Sequence, residues 1–347
     1  MTAGMLVLVL AVSGYSASAA TEAECLRNSE TELSGTDMAG SGEQERKRSL
    51  GPYTMYEQII YQAKQERIME WLADDMSEGR ATGTHAGMSA ARFIEVLFRQ
   101  YGLEPLFGSS FYQPFIADSL SGSRGRNVVG IVRSEVPSDE YVLISAHYDH
   151  LGILNGNVYN GADDNASGVT VLLNLADMLG TMKKTGTGPD KNIIFAALDA
   201  KELSMAGSKA LVRRFLVTNL RDSIICAINI DQIGTVLEPV HKADTNFVIV
   251  LGENTLHREH RGLIDMCNRY FDIDLDIDHT FYGSKNFTEL FYQLSDQIVF
   301  NRAGIPALVF TSGFHRHTYK TTDDPDIISY PVMKKRTLLI FYLTMML

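Results

Sequence analysis

The chain is poor in the residues that staple small extracellular folds and in those that grip nucleic acid. Three cysteines, Cys25, Cys226 and Cys267, are too few for a disulfide framework. Cys226 lies in a strand-like apolar run and Cys267 in a helix-like one. Buried free thiols are the default for both, with one disulfide left open to an exported chain. Lys and Arg number 31 against 42 Asp and Glu, giving a net charge of −11, and beyond the short Arg46-Lys47-Arg48 no basic cluster breaks the acidic balance. That argues against a phosphate-backbone partner. The apolar run Met5–Val12 is far short of the roughly 20 residues needed to span a bilayer. With the small residues Ser16-Ala17-Ser18-Ala19-Ala20 behind it, it reads as a secretory leader over 1–20, cleaved near Ala19 or Ala20. No Lys or Arg precedes the run, so an apolar N-terminal arm or a misplaced start codon is the alternative. Cys25 has no Leu-Ala-Gly before it, so no lipid anchor is expected. The expectation is an exported protein, periplasmic or extracellular, with no transmembrane anchor.

What is present is apolar content enough for a large core, 45% of 347 residues. The segment 21–51 is rich in Ser, Thr, Gly and Glu without periodicity and reads as a flexible lead-in. Residues 52–347 then form one expected α/β domain. Apolar residues recur at helical spacing over Met55–Met76 and Ala90–Tyr101, which predicts two helices before the sheet. After Gly125, apolar and β-branched runs at Asn127–Val132, Tyr141–Ser145, Asn192–Leu198, Ile224–Ile230, Phe247–Leu251 and Ala307–Thr311 alternate with helical segments such as Ala166–Leu179 and Met205–Leu216. Runs apolar on both faces and separated by helices describe a three-layer fold, a mostly parallel central sheet flanked by helices. Ligands of such sheets gather at the carboxyl ends of the strands.

Those ends carry the chemistry. Ser145-Ala146-His147-Tyr148-Asp149-His150 closes one strand, and Asp199-Ala200-Lys201-Glu202 closes another. Asn229-Ile230-Asp231 closes a third, while Gly161-Ala162-Asp163-Asp164-Asn165-Ala166-Ser167-Gly168 opens a helix. A mixed imidazole and carboxylate set suits zinc, and a carboxylate between two sub-sites can bridge a metal pair that activates water. Each residue also has a plainer reading: Asp163 or Asp164 as a helix cap, Asp231 as a turn residue, His147 as a core histidine.

Together these blocks resemble the zinc exopeptidase family that includes bacterial leucyl aminopeptidases, glutamate carboxypeptidase and glutaminyl cyclase, with the transferrin receptor ectodomain as a relative without the chemistry. The likeness runs from about Gly79, where Gly79-Arg80-Ala81-Thr82-Gly83-Thr84 resembles the family's lead-in, to the C-terminus. It implies a zinc site of His147, Asp164 and Asp231, with Asp164 bridging. It also implies a second site of Glu202 and a late histidine, and Asp149 orienting His147.

Two positions depart from the family. Lys201 stands where the resemblance implies a glutamate base, and Lys320 follows Tyr319 where it implies the late histidine ligand. Ser295-Asp296-Gln297 also lacks a histidine often found at its last place. A protonated lysine neither accepts a proton nor ligates zinc. The expectation is that Lys201 and Lys320 replace the second metal as ion-pair partners of Glu202 and Asp164, leaving one zinc rather than two, with none at all also open. His315 and His317 are the candidates to replace the missing ligand, or else loop histidines. The function read from this is that of a metallo-exopeptidase of aminopeptidase type acting on a peptide or small amide. The alternative is a non-catalytic binder of peptide, glycan or protein on the same fold. The aromatics of 281–300, Phe281, Tyr282, Phe287, Phe291 and Tyr292, either line a pocket for an apolar side chain or belong to the core.

Overall fold

A computed structural model describes residues 51–241 and 244–347. The expected leader, the segment following it up to residue 50, and Cys25 lie outside the described residues. The chain enters through a 3-10 helix, Gly51–Ile59, and then helices α1, Gln62–Ala73, and α2, His85–Tyr101. The single helix expected over Met55–Met76 is split because Tyr61 is extended, with φ −122° and ψ 149°. α2 starts at a Thr84 cap whose hydroxyl accepts from the Gly87 N–H, and ends at Gly102 in the left-handed region.

The strands are β1 (Glu104–Pro105), β2 (Tyr112–Asp118), β3 (Ser123–Val132), β4 (Tyr141–His147), the β5–β6 hairpin (Gly152–Leu154 and Asn157–Tyr159), β7 (Asn192–Leu198), β8 (Ile224–Ile230), β9 (Phe247–Leu251), β10 (Asp276–Asp278) and β11 (Ala307–Thr311). The main sheet runs β1-β3-β7-β4-β8-β11-β9-β10, with β2 beside β3. Its centre, β7-β4-β8-β11, is parallel throughout. β3 joins antiparallel to β7, and β9 antiparallel to β11. β2 carries Pro114, which an edge strand tolerates because one side makes no ladder.

Side chains along each strand alternate between two apolar layers. Val142, Ile144 and Ala146 face one layer with α1, α2, α3 (Gly168–Lys184) and α8 (Tyr330–Met346). Leu143, Ile194 and Ala196 face the other, with α4 (Ala206–Val217) and Phe300 of α7 (Gln297–Arg302). Two short helices, α5 (Leu263–Tyr270) and α6 (Lys285–Phe291), complete the α-helices of the described residues. Helix α8 shows no apolar stripe because its second half is apolar on nearly every side, with Leu338–Leu343 buried without a break.

Register fixes the site. β4 pairs His147 with Leu198 of β7, the residue before Asp199. It pairs Ser145 with Asn229 of β8, so that register carried two places on sets Asp231 level with His147. Cys226 and Cys267 are free and buried, as the sequence implied. Among the described residues no helix is long and apolar enough to cross a membrane.

Candidate metal centre

His147, the last residue of β4, is fully buried. Its Nε2 lies 3.3 Å from Asp231 Oδ1 and 3.4 Å from Asp164 Oδ1. Donor atoms of His147, Asp164 and Glu202 all fall within 4.8 Å of one another. The edge of a zinc tetrahedron with ligand bonds of 2.0–2.1 Å is about 3.3 Å, so the His147–Asp164 and His147–Asp231 spacings each suit two ligands of one such ion. Both Asp164 oxygens are buried and accept no hydrogen bond, an arrangement that calls for a cation.

A cation of the chain's own lies beside them. The Lys201 ammonium is 3.3 Å from Glu202 Oε1, 3.5 Å from Asp164 Oδ1 and 3.9 Å from Asp231 Oδ2. Burial pulls the Lys201 pKa down, but Asp164, Asp231 and Glu202 outweigh it and hold the proton well above the ordinary lysine range. Asp164 is the converse: burial raises it, and Lys201 with His147 brings it well below the usual carboxylate range. Asp231 is lowered in the same way, whereas burial leaves Glu202 raised. His147 is raised well above its usual value, because Asp231 and Asp164 overcome burial and the Lys201 charge. Three carboxylates against the Lys201 ammonium leave two negative charges when His147 is neutral, as a metal ligand must be, and one when its ring is protonated. The donors form a mixed imidazole and carboxylate set of the kind that holds zinc, with the Lys201 ammonium lodged 3.3 Å from Glu202 at its edge.

Lys320 does not take part. Tyr319 is left-handed, with φ 59°, and the Lys320 N–H donates to His317 O at 2.9 Å, so the turn throws the side chain outward. Its ammonium donates to Arg316 O at 2.6 Å, in solvent. The expected pair of lysines is therefore one lysine, since Lys201 alone reaches both Glu202 and Asp164. His315 and His317 do not replace the ligand either. His315 Nε2 is 3.0 Å from Asp163 Oδ2, and its Nδ1 accepts from the His317 N–H at 3.2 Å. His317 is half-buried, with Nδ1 2.8 Å from Thr322 Oγ1 and Nε2 accepting from Arg316 at 2.9 Å. Both rings have both nitrogens engaged.

Asp149 works differently from the expectation. His147 Nδ1 contacts the Asp149 backbone carbonyl at 3.1 Å, while the nearer carboxylate oxygen is 3.7 Å away. The carboxylate itself accepts the N–H groups of Lys201 at 3.0 Å and Glu202 at 3.1 Å. It thus fixes the loop after β7, and burial pushes its pKa up to about 7.

Several supporting residues carried no local signal. Asn165 Oδ1 accepts from Gln232 N–H at 3.0 Å and its Nδ2 donates to Ile230 O at 2.9 Å, tying the Asp164 turn to the Asp231 strand end. Asp323 accepts from the N–H groups of Asp163 and Asp164, at 2.8 and 3.0 Å. Ser145 and Asn229, polar residues within apolar strands, join at 2.9 Å beneath the site. Beside Lys201 and Asp231 opens a narrow pocket walled by Leu251, Phe281, Phe291, Leu294, Val309 and Phe314. Phe281 and Phe291 therefore line it, while Tyr292 turns its hydroxyl to Ala307 O at 2.8 Å.

The match that decides the family is to the model of peptidase family M28, over residues 127–344, more than half of the chain. The chain belongs to peptidase family M28. The mouse protein named aminopeptidase NAALADL1 (Mus musculus) is 37% identical over 106 residues, 30% of this chain. This chain spans only 13% of the length of that relative. The Legionella pneumophila LapA aminopeptidase superposes with a TM-score of 0.65 at 17% identity, covering 90% of this chain and 77% of LapA. BSAP, a zinc aminopeptidase from Bacillus subtilis, gives a TM-score of 0.60 at 16% identity, covering 80% of this chain and 93% of BSAP. At these identities the likeness is one of fold, and the M28 assignment rests on the family match.

Proposed function

We propose that this M28 chain is a one-metal member of its family. In this reading it holds zinc through His147, Asp164 and Asp231, and takes peptides or small amides whose apolar side chain enters the Phe281–Phe291 pocket. The observation that carries it is the Lys201 ammonium lodged among Glu202, Asp164 and Asp231, at 3.3 to 3.9 Å. When bound, the metal supplies Lewis-acid polarisation and acidifies water. The chain's own contribution is binding and orientation. Asp164 and Asp231 supply charge, Asp149 fixes the Glu202 loop, and the aromatic walls exclude water from the substrate side chain. Lys201 is held protonated and cannot accept a proton, so the general-base step, commonly worth 10²–10⁴-fold, is missing at this position. Peptide binding with weakened hydrolysis is the resulting function. Export is part of the same proposal and is supported by the leader-like run at Met5–Val12 followed by small residues.

The test is metal analysis together with hydrolysis of aminoacyl chromogenic amides, on the wild type and on Lys201→Glu. One zinc per wild-type chain and turnover at least about 10²-fold higher in the variant are expected. Two tightly held zincs in the wild type would sink the proposal, as would wild-type turnover equal to that of the variant.

A further inference from the structure

Arg80 has no exposed surface, and among the described residues it has no ion pair. Its guanidinium is spent on backbone carbonyls. Nε donates to Tyr148 O at 2.9 Å, Nη1 to Asn160 O at 2.7 Å and Nη2 to Gly161 O at 3.0 Å, and Nη1 also donates to Leu72 O. Tyr148 lies between His147 and Asp149, and Gly161 lies three residues before Asp164. One planar fork therefore grips the two segments that deliver His147 and Asp164, and anchors both to the end of α1.

The backbone that delivers Arg80 is costly to form. Glu78, Gly79 and Arg80 are successively left-handed, at φ 45°, 62° and 51°, a region that non-glycine residues avoid. A Cβ on Gly79 would sit 2.3 Å from Tyr159 O and 2.8 Å from Gly152 O, so the turn is pressed against the β5–β6 hairpin that links the two segments. Strained backbone of this kind persists where the surroundings over-determine it, and here it aims one cation inward. Burial lowers the Arg80 pKa to about 10, while Asp323, Asp149 and Asp164 favour its charge, so it stays protonated at neutral pH.

We propose that Arg80 is a positioning residue that sets the spacing of His147 and Asp164 by clamping the carbonyls of Tyr148, Asn160 and Gly161. It acts through the backbone of the ligand loops and touches neither metal nor substrate. A lysine keeps the charge but not the planar fork that reaches several acceptors at once. The proposal rests on the zinc reading above for its metal readouts, and stands apart from it for its structural one.

The experiment compares full-length wild type, Arg80→Lys and Arg80→Met. It uses hydrogen exchange of the zinc-free proteins, zinc affinity by titration, and the visible spectrum of the cobalt-substituted site. Both variants are expected to lose protection in 148–161, with exchange in β9 and β11 unchanged. Zinc affinity should fall tenfold or more in Arg80→Met and less in Arg80→Lys, with shifted cobalt bands in both. Wild-type exchange in 148–161 together with a wild-type cobalt spectrum in either folded variant overturns the clamp. Loss of protection throughout the sheet in both variants also overturns it, in favour of a general scaffold role. If the wild type takes up neither metal, the zinc reading fails, and exchange in 148–161 alone decides the clamp.

Discussion

Lys201 is the residue on which the site turns, and its effect is electrostatic before it is catalytic. The ammonium is nearly buried and offsets three carboxylates that otherwise face one another. Removing one partner of a buried ionic cluster leaves uncompensated charge, which costs about 3–5 kcal/mol. Lys201→Met is therefore expected to destabilise the metal-free protein by about 3 kcal/mol. Added zinc should recover much of that loss, as read by urea denaturation with and without the metal. A charge-neutral replacement with unaltered metal-free stability would refute this account. The cysteines give a second check at the same scale. Burial pushes the thiols of Cys226 and Cys267 up to about 12. Peptide-resolved labelling at pH 8 should thus find both unreactive in the folded protein and modified only after unfolding.

At the scale of elements, the site is made by loops held at strand ends. After β7 the chain passes through three non-glycine residues in the left-handed region, Ala200, Ser204 and Met205, before α4 begins. Asp149 pins the middle of that loop, and α4 closes tightly behind it. A Cβ on Gly207 would lie 2.1 Å from the Asp199 carbonyl and 2.6 Å from Asn127 Oδ1. Gly207→Ala must push α4 away from the β7 exit, with an expected loss of about 1–3 kcal/mol by denaturant titration. Because the same shift moves the Lys201 ammonium relative to Asp164 and Asp231, a larger change in zinc affinity than in other core variants of equal stability is expected from calorimetric titration. Boundaries of β7, β8, β9 and β11 were legible because continuous apolar runs admit few alternatives. β2 was not, since its edge position lets it alternate weakly and carry Pro114.

For the whole molecule, the parallel centre of the sheet brings His147, Glu202 and Asp231 to one edge although they are far apart in sequence. Metal bound there bridges separate strand ends and so couples to global stability. A ligand at 100 times its Kd stabilises the native state by about 2.7 kcal/mol. Chelation of the wild type should lower the Tm reversibly, and one equivalent of zinc should restore it. A second equivalent should add little, because Lys201 fills the other place; a further rise of similar size would argue for a second ion. Calorimetric scans across zinc-to-protein ratios distinguish the two outcomes.

The sequence by itself determined the layered α/β architecture and marked His147, Asp164, Asp231 and Glu202 as the candidate ligands. Apolar period is a local property, and parallel strands place their carboxyl ends together whatever the loops do. It also exposed Lys201 as the break in the pattern. Only the tertiary structure decided which lysine matters. A left-handed Tyr319 turns Lys320 into solvent, while Asp149 holds Lys201 inward through backbone N–H groups. His315 is likewise claimed by Asp163, a partner 152 residues away that no local pattern announces. Loop side chains take their direction from such distant partners, and those exist only once the sheet has assembled.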